Sequence, residues 1–340
     1  MTTQIRPLGQ HEIPALSSFL RSGFKSQPDE DYASEDVLRW KYFDNRGEPS
    51  CSRSLVVIDE NRITGHMGLC PMSFHLSDES SIHTASIIDW LGTPGKSNGL
   101  RLLRYARKQH PLLYAMGATE QAMRVLLATD FKIIQNVPTM LQVLKPRFYG
   151  PGPKWKRPLR FVKDIIRIFS FRPKMSPQGI LLEEVGSFSK EADDISLAYG
   201  KGLVMTTRSS AMLNHFLRFP GKTFSGYHIK KDGRLIGMVM LNNIKRSHLI
   251  TVKLVDLILY ANDPVLWRSA LVAVCSYAKE TFGAHSISCV ASAPVFKEAL
   301  ASSGFTVLSN TPFCLWDPQS ILRLDRPFHL THMESDGSYL

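Results

Sequence analysis

The sequence predicts an α/β (α+β) protein built from two copies of one unit, each a mixed, mostly antiparallel sheet flanked by helices. Three recurrences carry this prediction. Arg62-Ile63-Thr64-Gly65 follows the turn residues Asp59-Glu60-Asn61 and leads into Met67-Gly68-Leu69, while Arg234-Leu235-Ile236-Gly237 follows Lys231-Asp232-Gly233 and leads into Met238-Val239-Met240-Leu241. An apolar strand carrying one acid then recurs, as Ile87-Ile88-Asp89-Trp90-Leu91 and as Leu254-Val255-Asp256-Leu257-Ile258. A helix ending at Asp130-Phe131 is matched by one ending at Gly304-Phe305. A period this long implies duplication of a whole domain, because solenoid repeats are far shorter.

The first copy opens with a strand, Ile5-Arg6-Pro7-Leu8, and an amphipathic helix from Gln10 to Phe24 with Ile13, Leu16 and Leu20 on one face. A second helix covers Asp36 to Phe43, and Leu55 to Ile58 and Ile63 to Leu69 form a hairpin. Strands at Phe74-His75-Leu76 and Ser86 to Leu91 bracket another polar turn. Pro94 to Asn98 is a loop, Gly99 to Gln109 a helix capped by Asn98, and Leu112 to Met116 a strand. A helix at Gln121 to Thr129 and strands at Phe131 to Ile134 and Met140 to Leu144 complete the unit. Gly150-Pro151-Gly152-Pro153 interrupts regular structure. The second copy runs from Gly179-Ile180-Leu181-Leu182 through the hairpin Tyr227 to Leu241, the strand Leu254 to Tyr260, a helix Val265 to Phe282, a strand Ser286 to Ala291 and a helix Val295 to Ser302. The implied division is 1–148, a linker 149–176, and 177–340.

At 340 residues, with 44% apolar and 21% charged residues, the chain has the composition of a soluble globular protein with two ordinary cores. It lacks an apolar run of about 18 residues, as a membrane span needs, and an apolar secretory leader after Met1. Five cysteines at 51, 70, 275, 289 and 314 have no C-x-x-C spacing and read as reduced thiols of a cytoplasmic protein. No H-x-x-x-H pair suggests a metal site. The net charge of +11 is concentrated between Lys145 and Lys174, where Asp164 is the single acid among ten Lys and Arg residues.

The order of elements, with a loop and helix directly after the fourth strand, resembles the GNAT superfamily of acyl-CoA N-acyltransferases. The opening Ile5 to Leu16 is similar to the first strand and helix of many members, and the stretch Leu38-Arg39-Trp40-Lys41-Tyr42-Phe43-Asp44-Asn45 and the closing Phe328-His329-Leu330-Thr331 … Ser335-Asp336-Gly337 are similar to tandem members met among bacterial surface-polysaccharide genes. The resemblance implies two tandem GNAT-like domains and binding of acetyl-CoA or another acyl-CoA by backbone amides after strand four, without a metal. The superfamily pattern Q/R-x-x-G-x-G/A falls on Lys96-Ser97-Asn98-Gly99-Leu100-Arg101, in which Arg101 departs from the last small residue. With Leu91 and Gly92 these are the expected coenzyme contacts, aided by the positive end of the helix. The second copy has Asn262-Asp263-Pro264 there, where acid and bulk argue against a phosphate.

Transfer to an amine needs a proton acceptor, and Asp89 and Glu120 are the expected candidates. Apolar surroundings would raise the pKa of Asp89, although a buried acid bonded to Lys or backbone is the plainer reading of it. Thr119 would cap the helix that Glu120 opens. The Tyr that many GNAT enzymes use to protonate the thiolate is replaced by Leu126, and by Leu300 in the second copy, leaving water, Tyr114 or Tyr105 as donors. Arg39, Trp40 and Tyr42 are expected at the acceptor, a small or lipid-linked amine such as that of an amino sugar destined for a surface polysaccharide.

The linker contains a basic amphipathic stretch. Leu159, Val162, Ile165, Ile166 and Phe169 share a helical face flanked by Arg160, Lys163 and Arg167, with Trp155 just ahead. Such a segment (155–172) either packs between the copies or lies on an anionic membrane at the cytoplasmic side. Nucleic acid is not an expected partner, since no zinc knuckle, RNP-type strand or KH loop is present. Two rival readings are a Fem-like aminoacyltransferase using aminoacyl-tRNA and a binding or scaffold protein that kept the fold without turnover.

Overall fold

The computed structural model of the chain describes residues 3–25, 31–44, 52–75, 80–146, 157–170, 179–246 and 249–338. Leu76, Trp155, Cys51, Asn45, the Gly-Pro run at 150–153 and both ends of the expected linker lie outside them. The first half contains β1 (Gln4–Pro7), α1 (Ile13–Phe24), α2 (Glu35–Tyr42), β2 (Ser54–Asp59), β3 (Arg62–His75), β4 (Ser81–Gly92), α3 (Asn98–Gln109), β5 (Leu113–Met116), α4 (Glu120–Leu127) and β6 (Lys132–Val143). Helix α5 (Arg157–Ser170) follows. The second half contains β7 (Ile180–Val185), α6 (Lys190–Gly200), β8 (Val204–Thr206), α7 (Ser210–Leu217), β9 (Phe224–Lys231), β10 (Arg234–Arg246), β11 (Leu249–Leu259), α8 (Pro264–Thr281), β12 (Ser286–Val290), α9 (Pro294–Ser302), β13 (Thr306–Trp316) and β14 (Phe328–His329).

The duplicated hairpins are built alike down to their backbone angles. Glu60 and Asn61 (φ 50° and 60°) join β2 to β3, and Asp232 and Gly233 (φ 50° and 78°) join β9 to β10. Two successive positive φ values define the two-residue turn whose twist matches the flanking strands. A register shift follows at Thr64 in one hairpin and at Ile236 in the other. The helix stops also match: Asp130 and Gly304 take left-handed φ values of 66° and 93°.

Three sequence expectations are corrected. β3 and β6 are each one long strand rather than two short ones, because the polar stretch in β6 pairs along its length with β13. Strand β4 begins at Ser81, earlier than expected. Asn98 does not cap α3; Ser97 holds the N-cap position, and the Asn98 side chain instead donates to Thr64 Oγ1 at 2.9 Å.

All fourteen strands join one sheet, whose main path runs β1-β2-β3-β4-β5-β13-β6-β12-β11-β10-β9-β7. Near the middle the halves exchange strands. β13, from the second half, pairs with β5, and β6, from the first half, pairs with β12. The largest core cluster accordingly takes Trp40, Phe74 and Tyr114 from one half and Phe216, Leu257 and Trp267 from the other. Among the described residues no helix is long and apolar enough to cross a membrane.

Candidate active site

Strands β4 and β5 run parallel but pair only at Ala85–Leu113 and Ser86–Tyr114. Beyond that point a bulge in β4 sets Asp89 and Trp90 against the single residue Met67 of β3. Bulges bend a strand and end local pairing, so the sheet opens into a wedge here. Asp89 takes φ 46° at the bulge, a conformation that Asp accepts more readily than most residues. Its carbonyl accepts a hydrogen bond from His66 Nδ1 at 2.8 Å, which leaves His66 Nε2 to accept from Ser54 Oγ at 2.9 Å. Burial lowers the His66 pKa to about 4, so the ring stays neutral in this role.

At the far end of β4, the amides of Asn98, Gly99 and Leu100 have no acceptor among the described residues, as expected in the first turn of a helix. Gly92 and Gly99 are close: a Cβ on Gly92 would lie 2.9 Å from the Gly99 nitrogen. Trp90 Nε1 donates to the Gly99 carbonyl at 3.1 Å and fixes the loop from below. Leu91, Gly92, Gly99 and Leu100 are half-buried, whereas Lys96 and Ser97 are exposed. Lys96 is bonded to Asp59 at 2.6 Å, and Arg101 reaches the Thr3 carbonyl at 3.5 Å. This first turn, with free amides and a positive helix end, suits a pyrophosphate. In the second half Asp263 fills the equivalent place and accepts from the Val265 amide at 2.9 Å. A carboxylate already occupies that anion position.

The wedge leads to a cavity between the halves with about 380 Å³ of empty space, part of it open to solvent. Ser86 and Ile88 of β4, Tyr114 of β5, Lys41 of α2 and Asp336 contribute to its walls. The C-terminal segment reaches it through a chain of polar anchors. Thr331 and Glu334 form a capping box, and Glu334 also accepts from Thr206 Oγ1 at 2.6 Å and pairs with Arg208 at 2.7 Å. The carbonyls of Gly337 and Ser338 accept from Lys253 Nζ and Asn242 Nδ2, each at 2.7 Å. Asp336 is thereby held half-buried at the cavity wall. Burial, and then the Asp89 charge, push its carboxyl up to about 6. The Tyr114 hydroxyl is buried beside Ser86, and burial raises its pKa well above the usual range, so it stays protonated.

The candidates from sequence fare differently. Asp89 is bonded to Lys41 Nζ at 2.9 Å and to Tyr42 Oη at 2.6 Å. Burial alone would raise its pKa, but the Lys41 charge and the Tyr42 hydroxyl outweigh that and hold it below the usual carboxylate range. The expected elevation is therefore corrected: Asp89 is a buried ion-pair partner, the plainer of the two sequence readings. Glu120 is exposed at the start of α4, where it pairs with Arg124 one turn on, and Thr119 caps the helix. It does not line the cavity. Trp40 lines it, but its indole N–H is already bonded to the His215 carbonyl at 2.8 Å. Tyr42 is fully buried behind Lys41, and Arg39 is half-buried outside the lining. Leu126 and Leu300 are both core residues, and Tyr105 packs against the core of the first half.

Sequence reading passed over Asp336 as a site residue. The available signal was the Thr331-x-x-Glu334 capping box two residues before it, which marks an ordered tail. Among the described residues no cluster of three His, Cys, Asp or Glu side chains could hold a metal ion.

No protein-family model and no curated sequence matches the chain. Solved structures do share its fold. A GCN5-related N-acetyltransferase from Anabaena variabilis superposes with a TM-score of 0.59 at 12% identity, covering 92% of this chain and 72% of the other. Saccharomyces cerevisiae N-myristoyltransferase with bound myristoyl-CoA gives 0.60 at 11% identity, covering 93% and 82%. A GCN5-related N-acetyltransferase from Kribbella flavida gives 0.57 at 10% identity, covering 92% and 70%. The mixed sheet flanked by helices is thus the GNAT fold.

Proposed function

We propose that this GNAT-fold chain is an N-acyltransferase that moves an acyl group, acetyl in the simplest case, from acyl-CoA to a primary amine, with Asp336 as proton acceptor. The observation that carries the reading is the alignment of three features along β4. The free amides of Asn98, Gly99 and Leu100 lie at its end, the wedge lies at its bulge, and the Asp336 cavity lies at its last pairs with β5. From Ile88 to Gly92 the strand rises roughly 13 Å, a length that an extended pantetheine arm covers. The pyrophosphate would rest on the amides and the thioester would enter the wedge.

In this reading the acceptor ammonium gives a proton to the Asp336 carboxylate, and the freed amine attacks the thioester carbon. The C–N bond forms and the C–S bond breaks, and the second proton that the nitrogen sheds on becoming an amide passes to the thiolate through the Tyr114 hydroxyl, which ends protonated as it began. Lys41 is engaged by Asp89, so its charge steadies the cavity without acting as an acid. The support from the structural relatives concerns fold. The acceptor class, an amino sugar carried on a nucleotide or lipid, and action in the cytoplasm at the membrane's inner face, are part of the proposal.

Coenzyme binding is read from thermal unfolding with CoA and acetyl-CoA, where ligand at 100 times its Kd stabilises by about 2.7 kcal/mol. Thiol release is then followed with a panel of amines, amino sugars included. A protein stabilised by no CoA ester would overturn the reading, and RNase-sensitive transfer would favour aminoacyl-tRNA as donor.

A further inference from the structure

The apolar face of α5 points outward. Leu159, Val162 and Ile166, spaced three and four residues apart, are 65%, 52% and 58% exposed. These three positions are not packed between the halves, whereas Ile165 of the same stripe is half-buried. The opposite side of the helix faces the protein: Asp164 is buried, and Arg167 and Ile168 line a hollow against β6 and α8 with about 810 Å³ of empty space, part of it open solvent. Gly304 and Thr306 line the same hollow, and the residues next along β13, Val307 and Leu308, are 59% and 65% exposed. Lys163 is exposed on α5, and Lys279 joins Arg167 at the hollow.

We infer that this face docks on an anionic lipid bilayer, with Leu159, Val162 and Ile166 entering the acyl-chain boundary and the exposed Lys163 meeting lipid headgroups. Charge complementarity selects the occupant. By sequence the region from Lys145 to Lys174 holds ten cations and one acid; among the described side chains of α5, Lys163 is exposed while that acid, Asp164, is buried on the other side. A second copy would bring the same excess of cations against it and be repelled. An anionic membrane offers both an apolar layer and the opposite charge, the combination that in-plane amphipathic helices use. The inference stands apart from the acyl-transfer reading, and its test leaves catalysis aside.

The test is flotation with vesicles of phosphatidylcholine, alone or doped with phosphatidylglycerol. The chain should float with the anionic vesicles and remain behind with the neutral ones. Each cation near the surface contributes about 1 kcal/mol, so Lys163→Gln should weaken partition roughly fivefold. Raised salt should weaken it too. The triple variant Leu159→Gln, Val162→Gln, Ile166→Gln should stop floating while keeping the thermal unfolding midpoint. As a variant that preserves the face, Val162→Trp should give blue-shifted fluorescence, quenched by brominated lipid, only with anionic vesicles. Failure to float, indifference to lipid charge, or an indole emission that stays unshifted in the Val162→Trp variant would overturn the inference. So would a wild-type dimer that the triple variant renders monomeric.

Discussion

Trp40 and His215 stack ring on ring, their centroids 4.4 Å apart and their planes 8° from parallel. Each stands six residues after a serine N-cap, Ser34 and Ser209, whose side chain accepts an amide three residues on, and each belongs to an eight-residue helix. The two residues thus hold matching places in the two halves of the chain. A double-mutant cycle with Trp40→Ala and His215→Ala should return a coupling of about 0.5–1.5 kcal/mol. Additive losses in urea unfolding would mean that the stack joins nothing.

Lys41 and Asp89 form a buried ion pair in the first half, and Arg208 and Asp256 form one in the second at 2.6 Å. The cations come from different places, Lys41 from within α2 and Arg208 from just before α7, so the charge is retained while its support differs. Leaving either partner of the first pair alone should cost about 3–5 kcal/mol. Lys41→Met and Asp89→Asn are therefore each strongly destabilising in urea unfolding, and the double variant should recover most of the loss.

Asp336→Asn should abolish transfer while stabilising the fold. The carboxyl rises from an ordinary 3.8 to about 6 in the folded protein, so the folded state holds its proton more tightly. Stability is then lost as pH rises from about 4 through about 6, and the ionised group is a burden at neutral pH. Replacing it with a neutral amide should relieve about 1–3 kcal/mol at pH 7.5 and nothing at pH 3.5. The acidic limb of kcat/KM should fall near pH 6 and move lower in Asp89→Asn, which removes a charge that raises the Asp336 pKa. A limb unmoved by that change would remove Asp336 from the role of base.

Ser97→Asp copies into the first half the acid that blocks the second. An aspartate N-cap should stabilise free α3 by about 0.5–1 kcal/mol. The same carboxylate should repel the pyrophosphate and weaken CoA binding at least about tenfold. Thermal unfolding should show a higher midpoint without CoA and a smaller shift with it. An undiminished shift would place the coenzyme elsewhere.

The hairpins, the strand-borne acids and the left-handed helix stops at Asp130 and Gly304 were legible because each depends on residues a few positions apart. The turn that begins at Pro94 ahead of α3 was legible for the same reason. For Asp89 the plainer reading, a buried acid bonded to Lys, holds, but the identity of that Lys and the lowered pKa were not legible, because Lys41 lies 48 residues earlier. The outward stripe of α5 was visible as a stripe, but its direction depends on what β6 and α8 leave uncovered.

Asp336 belongs entirely to the second kind of fact. Its segment is held against the first half by a bond from Ser86 Oγ to the Glu334 carbonyl at 3.3 Å, across 248 residues. Backbone preference acts between neighbours and can be read in order along a chain. Desolvation and Coulomb forces act through space, so a carboxyl becomes a candidate base only once folding has placed it beside Asp89 and taken away its water.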